Sequence, residues 1–254
     1  MSEKIALISG ASSGFGYELS KILVQEKGWK VIGLARRAEK LEALKKELAD
    51  NFLPLVLDIS KLDYIPSSID ILPENWQDIS LLVNNAGLAR GLTSADKTEL
   101  SDWYEMVDTN IKGLITLTRC ILPRMVAKNK GHIVNLSSTA ANYPYYGSNV
   151  YGATKAFVKQ FSLNLRADLV GTKVRVSNIE PGLIAGTEFS NVRFHGDNQK
   201  AAAVYDGVEN MTGKDIANII AWIVEMPEHI NVNRIEIMPT AQTFAGLQVV
   251  KKES

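Results

Sequence analysis

The sequence predicts a single α/β domain built on a doubly wound, seven-stranded parallel sheet with helices on both faces. Three observations predict it. Short β-branched runs alternate with longer segments of helical period along most of the chain. A glycine-rich turn follows the first of those runs directly. At 254 residues, 46% of them hydrophobic, the chain can bury one large core, and no linker rich in Pro, Gly or Ser divides it.

Taken in order, Ile5–Ser9 reads as a strand, Gly14–Lys27 as a helix, Lys30–Ala35 as a strand, Ala38–Asp50 as a helix and Leu53–Asp58 as a strand. A helical or irregular stretch leads to a strand at Ser80–Asn84. A long helix over Ser101–Asn129 carries Pro123 and is followed by a strand at Gly131–Ser137. Then come a helix at Asn149–Val170, a strand at Lys173–Ile179, a helix at Gly213–Glu225 and a strand at Arg234–Met238. Each crossover holds a helix, so the strands are parallel. The least regular segment, Gly182–Asp206, lies at the carboxyl edge of the sheet, and 182–206 is expected to form a substrate-covering lid. The tail Ala241–Ser254, with Phe244, Leu247 and Val249–Val250, either packs on its own domain or docks on a neighbouring subunit.

Composition narrows the function classes. Charged residues make up 22% and sum to a formal net charge of zero, so no global field draws the chain to nucleic acid or anionic lipid. The apolar runs are too short to span a bilayer, and MSEKIALISG enters a strand at once without a basic region leading into an apolar segment. A cytoplasmic enzyme of small molecules is expected. The single Cys120, in the apolar run Leu114–Leu122, reads as a buried helix residue.

The turn Gly10-Ala11-Ser12-Ser13-Gly14-Phe15-Gly16 follows a strand and opens a helix. Glycines let the backbone approach a pyrophosphate closely, and the helix N-terminus supplies unpaired N–H donors. Ser12 and Ser13 add hydroxyls. At the end of the second strand, where an acidic residue would hold the ribose hydroxyls of NAD, the chain reads Leu34-Ala35-Arg36-Arg37. Two guanidiniums there suit the 2′-phosphate of NADP, with Arg36 ahead of Arg37.

Further motifs follow: Asn84-Asn85-Ala86-Gly87, Ser137-Ser138, Tyr151-Gly152-Ala153-Thr154-Lys155 and Pro181-Gly182. In this order and spacing the chain resembles the short-chain dehydrogenase/reductase family, with its Rossmann fold, over nearly its whole length. Tyr151 and Lys155 stand four apart on one helical face, and an ammonium beside a phenol favours the phenolate, which suits Tyr151 to general acid/base work. Ser138 would orient the substrate oxygen. The resemblance implies that Lys155 also holds the nicotinamide ribose and that Asn110 holds a water in a proton relay. It implies that Asp58 and Ile59 flank adenine, that Asn84, Ala86 and Gly87 floor the cofactor site, and that Pro181 and Gly182 turn beside the nicotinamide. Asn84-Asn85 is open to a purely structural reading. Ser9 stands where the family usually has threonine and keeps the hydroxyl.

Within the family, Asn149–Phe157, Gln160–Arg166 and Gly186–Phe194 resemble the NADP-dependent 3-hydroxy acid dehydrogenases, a group that includes serine and L-allo-threonine dehydrogenases and malonic semialdehyde reductases. The implied substrate carries a carboxylate. Arg193, central in the lid, is the expected cation for it, and Arg90 competes. The alternatives are a reductase of bulkier neutral ketones and a non-enzymatic NADP-binding protein, the latter opposed by the complete Asn110, Ser138, Tyr151, Lys155 set. His132 and His229 read as structural, His195 is a possible substrate contact, and no spacing suits a metal. Family members are commonly tetramers joined through their two long helices, so a homotetramer is expected.

Overall fold

A computed structural model describes residues 3–244. Its strands are β1 (Ile5–Ser9), β2 (Lys30–Ala35), β3 (Phe52–Val56), β4 (Ile79–Asn84), β5 (Gly131–Leu136), β6 (Val174–Pro181), β7 (Ile184–Ala185), β8 (Met211–Thr212) and β9 (Arg234–Ile237). The helices are α1 (Gly14–Lys21), α2 (Ala38–Leu48), α3 (Tyr64–Asp70), α4 (Leu100–Val107), α5 (Leu114–Ala127), α6 (Asn149–Asp168), α7 (Phe189–Arg193), α8 (Asn198–Ala203) and α9 (Gly213–Val224). The main sheet is seven-stranded, in the order β3-β2-β1-β4-β5-β6-β9. Every pairing in it is parallel.

Both faces of that sheet are covered, which is why its strands read as continuous apolar runs. In β1, Ala6 and Ile8 point to one face and pack with Leu19 of α1 and Ile216 and Ile220 of α9. Ile5 and Leu7 point to the other and pack with Ile65 of α3 and Leu117 and Ile121 of α5. The strand order reverses between β1 and β4, so their carboxyl ends diverge and open a crevice.

Three local expectations are corrected. The long helix is interrupted: α4 and α5 are separated by a π-helical turn, Asp108–Gly113, where Gly113 lies so close to Ile59 that a Cβ would sit 2.7 Å from the Ile59 carbonyl oxygen. A second π-helical turn, Ile22–Glu26, ends the first helix. The segment 182–206 is not irregular, since it contains β7, α7 and α8, and β7 pairs with β8 beyond it. Of the tail, Phe244 packs on Tyr143 with ring centroids 4.7 Å apart, while Leu247 and Val249–Val250 lie outside the described residues.

Candidate active site

The crevice at the strand reversal is a cavity of ≈ 550 Å³. The turn after β1 forms one wall. Gly10 and Gly14 have φ of 72° and 57°, and Gly10 N–H donates to the Leu34 carbonyl at 2.8 Å. A Cβ on Gly16 would stand 2.5 Å from the Gly10 carbonyl oxygen, so the first turn of α1 reaches the loop only because that position is glycine. The N-terminus of α1 has no side-chain cap and no acidic residue in its first turn. Its free N–H groups, beside Ser12, Ser13 and Phe15 in the cavity wall, form a cradle that fits a dinucleotide pyrophosphate.

At the end of β2, Arg36 is exposed, lines the cavity and makes no ion pair among the described residues. It fits the 2′-phosphate of NADP. Arg37 does not share that freedom: its guanidinium donates to the Ser12 and Ser13 hydroxyls at 3.0 Å and pairs with Glu188 at 2.7 Å. Asp58 and Ile59 line the adjoining wall, with the Asp58 carboxylate accepting from the Ser60 amide and hydroxyl.

Asn84 is corrected to a brace. Its side chain is buried and donates to Thr118 Oγ1 at 2.9 Å and Asn135 Oδ1 at 2.8 Å, tying β4 to α5 and β5 behind the cavity. The cavity wall is made instead by Asn85, Ala86 and Gly87. Asn85 Nδ2 donates to the Ser9 carbonyl at 2.9 Å, while the Ser9 hydroxyl accepts from the amides of Asn85 and Ala86. Pro181 and Gly182 lie in the opposite wall, and the Gly182 amide donates to the Ile237 carbonyl at 2.7 Å.

Ser138, Tyr151 and Lys155 meet at the inner end. Ser138 opens a 3₁₀ turn, its Oγ accepting from the Ala140 amide at 3.1 Å and donating to the Pro181 carbonyl at 3.4 Å. Tyr151 and Lys155 are both buried on one face of α6, with the Lys155 Nζ 5.9 Å from the Tyr151 ring centroid. The expected electrostatics are corrected here. Lys155 donates to the Leu136 carbonyl at 2.9 Å, and burial pushes its pKa down to about 8. Burial pushes the Tyr151 phenol well above the usual tyrosine range, assisted by Tyr145, and the groups opposing it are Ser138 and Arg193. Asn110 is likewise fully engaged: its Nδ2 donates to the Leu88 carbonyl (2.8 Å) and Thr154 Oγ1 (3.0 Å), and its Oδ1 accepts from the Leu88 amide (2.9 Å). It locks the π-helical turn to α6 and to the loop after β4.

Segment 182–206 lines the outer end. Phe189 packs on Tyr151 with centroids 5.6 Å apart. Arg193 faces the cavity, its guanidinium 5.4 Å from the Tyr145 ring centroid and 5.7 Å from that of Tyr151. Its Nε donates to the Gly91 carbonyl at 3.1 Å, and the Gly91 amide donates back to the Arg193 carbonyl at 2.8 Å. Arg90 is neutralised by Glu105 at 2.7 Å and donates to the Val192 carbonyl, so it braces this segment from outside the cavity. His195 also points away, toward Asp102 at 3.2 Å.

Residues 4–198 match the family described as short chain dehydrogenase. The chain belongs to that family. This short-chain dehydrogenase is 59% identical over 253 residues, 100% of each chain to the nearest per cent, to a probable NADP-dependent dehydrogenase of Haemophilus influenzae. It is 51% identical over 245 residues, 96% of this chain and 98% of the other, to the NADP-dependent 3-hydroxy acid dehydrogenase YdfG of Escherichia coli K12. Among solved structures, the closed form of a serine dehydrogenase complexed with NADP+ superposes with a TM-score of 0.96 at 50% identity, over 98% of this chain and 100% of that one.

In the dehydrogenase, His132 is buried against Ser177 Oγ at 2.8 Å with its pKa pushed down to about 3 by burial, and His229 lies in an exposed loop. Cys120 lies in α5 as expected but is only partly buried, and that burial raises its thiol pKa. No group of three or more His, Cys, Asp or Glu side chains able to hold a metal ion occurs among the described residues, and no described helix is long and apolar enough to cross a membrane. Sequence reading missed Tyr145, Glu188, Phe189 and Gln242 of the cavity wall. Tyr145 sits in the aromatic run Tyr143-Pro144-Tyr145-Tyr146, whose spacing carries no period to signal which ring turns inward.

Proposed function

We propose that this short-chain dehydrogenase interconverts small 3-hydroxy acids, such as serine, allo-threonine, 3-hydroxypropionate or 3-hydroxyisobutyrate, with their 3-oxo acids or semialdehydes, using NADP. The observation that carries this reading is Arg193, a cation facing the cavity 5.7 Å from the ring centroid of Tyr151. In a 3-hydroxy acid a short carbon chain separates the hydroxyl from the carboxylate, so one molecule can engage both residues. A bulky neutral ketone would leave the guanidinium without an anion, and the packing of Phe189 on Tyr151 favours a small substrate.

The cradle at α1 and the unpaired Arg36 would hold the cofactor, with Ala86, Gly87, Pro181 and Gly182 along its length. When bound, NADP supplies the hydride acceptor, or NADPH the donor, for C3. Tyr151 takes the C3 hydroxyl proton in oxidation and returns it in reduction. Ser138 orients that oxygen and stabilises the charge that develops on it. The phenol must give up a proton that burial holds in place; Ser138 and Arg193 oppose the burial. Asn110 keeps α6 and the loop after β4 in register around these groups.

The same reading makes segment 182–206 a substrate-covering lid, with the protein a cytoplasmic homotetramer. Leu100 and Tyr104 of α4 and Phe157 and Leu163 of α6 leave exposed apolar surface of the kind subunits cover. The decisive experiment is Arg193→Ala assayed with L-serine and 3-hydroxypropionate. KM is expected to rise roughly tenfold or more, the worth of a hydrogen bond to a charged group. Unchanged KM and turnover for both acids would overturn the assignment.

A further inference from the structure

We propose that Tyr145 is the second half of the carboxylate seat, a specificity-determining residue that donates its phenolic proton to one carboxylate oxygen while Arg193 holds the other. This rests on the 3-hydroxy acid reading above and extends it to a residue outside the family's catalytic set.

The argument is one of donors and acceptors. Arg193 Nη2 donates to the Tyr145 hydroxyl oxygen at 3.0 Å. A phenol that accepts this bond keeps its own O–H free to donate. That proton has no acceptor among the described residues, although Tyr145 lines the same cavity as Tyr151. On the guanidinium, Nε is spent on the Gly91 carbonyl and one Nη2 proton on Tyr145, which leaves Nη1 for a ligand. An O–H and an N–H fork held side by side, beside the acid/base tyrosine, offer two donors to an anion with two oxygens. Neutral substrates leave both donors unpaired in a closed site, so the pair selects for acids.

The clamp is built on a rigid turn. Gly147 has φ of 77°, and a Cβ there would stand 2.7 Å from the Leu92 carbonyl carbon. The Ser148 amide donates to the Tyr145 carbonyl at 3.0 Å, which fixes the backbone that carries the ring just before α6 begins. Arg193 lies over the Tyr145 ring, so the two halves of the seat hold each other in place before substrate arrives.

The test compares 3-hydroxypropionate with its methyl ester, which has the same hydroxyl but no carboxylate. The ratio of kcat/KM for acid to kcat/KM for ester is measured in wild type, Tyr145→Phe and Arg193→Ala. Tyr145→Phe is expected to lower that ratio roughly tenfold, the worth of one hydrogen bond to a charged group. If Tyr145→Phe retains the wild-type ratio while Arg193→Ala lowers it, the clamp is overturned and the 3-hydroxy acid reading stands. If neither variant lowers it, that reading fails too. Tyr145→Gln, which keeps a donor on a different frame, covers the case in which removing the hydroxyl unfolds the turn. A ratio at or above wild type in a folded Gln variant supports the clamp, and a ratio lowered roughly tenfold despite the retained donor ascribes the effect to the ring and overturns the donor role.

Discussion

Glu188, the residue before α7, reaches back across the cavity to the start of α2, where its carboxylate pairs with the Arg37 guanidinium at 2.7 Å and the Lys40 ammonium at 2.6 Å. Both ends of α7 are therefore tied down, one to the cation cluster beside the phosphate cradle and the other through Arg193 to Gly91 and Tyr145. Burial raises the Glu188 pKa, but hydrogen bonds from Lys40, Arg37 and Ser13 bring it to about 2. Its folded pKa lies below the unfolded one, so the stabilisation is complete above the ordinary carboxylate range and is lost only as pH falls toward 2. The pairs are partly exposed, each worth about 1 kcal/mol or less. Glu188→Gln is expected to speed NADPH release about threefold to tenfold in stopped-flow fluorescence. High salt should speed release from both proteins, since Arg36 faces the 2′-phosphate in each, and should narrow the difference between them as the Glu188 pairs are screened. An unchanged release rate would show that the tie plays no part in holding the cofactor.

Lys155 makes the cofactor-free protein pH-sensitive. Its folded pKa of about 8 lies below its ordinary value of 10.5, so between these values the unfolded chain holds more protons and stability rises with pH. Below pH 8 the fold carries the cost of a buried ammonium. Lys155→Met should abolish activity yet stabilise the cofactor-free protein by about 2 kcal/mol at pH 7, the burial cost less the lost bond to the Leu136 carbonyl. That gain should shrink toward zero or below by about pH 10. Urea unfolding at the two pH values measures it, and a gain independent of pH would contradict the account.

Asn110 separates a brace from a relay. Replacing it by Ala leaves the buried Leu88 amide and carbonyl without their side-chain partners, at a cost of roughly 2–4 kcal/mol. Asn110→Ala should therefore lower Tm as well as kcat. A variant with wild-type Tm and reduced kcat would return the residue to the proton relay alone.

These residues also mark what the sequence made legible. The succession of strands and helices, the glycine turn and the convergence of Ser138, Tyr151 and Lys155 follow from periodicity and from motifs that are local in the chain. Arg36 is legible for the same reason, since it stands a fixed distance beyond a recognisable strand. The engagement of Arg37 by Glu188, 151 residues later, is not, because it depends on where segment 182–206 folds back. Lys155 facing Leu136 was hidden too: spacing puts Tyr151 and Lys155 on one face but says nothing of the carbonyl across from them. The bracing by Asn84 and Asn110 depends on partners from other elements, which no local pattern announces.

Gly33 ties the packing of the sheet to the placement of Arg36. It lies in β2 opposite Pro54 of β3, and a Cβ there would stand 2.2 Å from Cζ of the fully buried Phe52 and 3.2 Å from Cβ of Ala11 in the phosphate turn. The first contact is sub-van der Waals with a ring held inside the core, so the ring or the strand has to shift. Such overpacking costs roughly 1–3 kcal/mol. Gly33→Ala should lower stability by that amount in urea unfolding and also raise the dissociation constant for NADPH, because β2 carries Arg36 at its end and Ala11 belongs to the cradle. Phe52→Leu alone should destabilise by leaving a void. Combined with Gly33→Ala it should cost less than the sum of the two, since the smaller side chain vacates the space that the new methyl needs. Strictly additive effects would mean that strand strain rather than the Phe52 ring sets the demand for glycine.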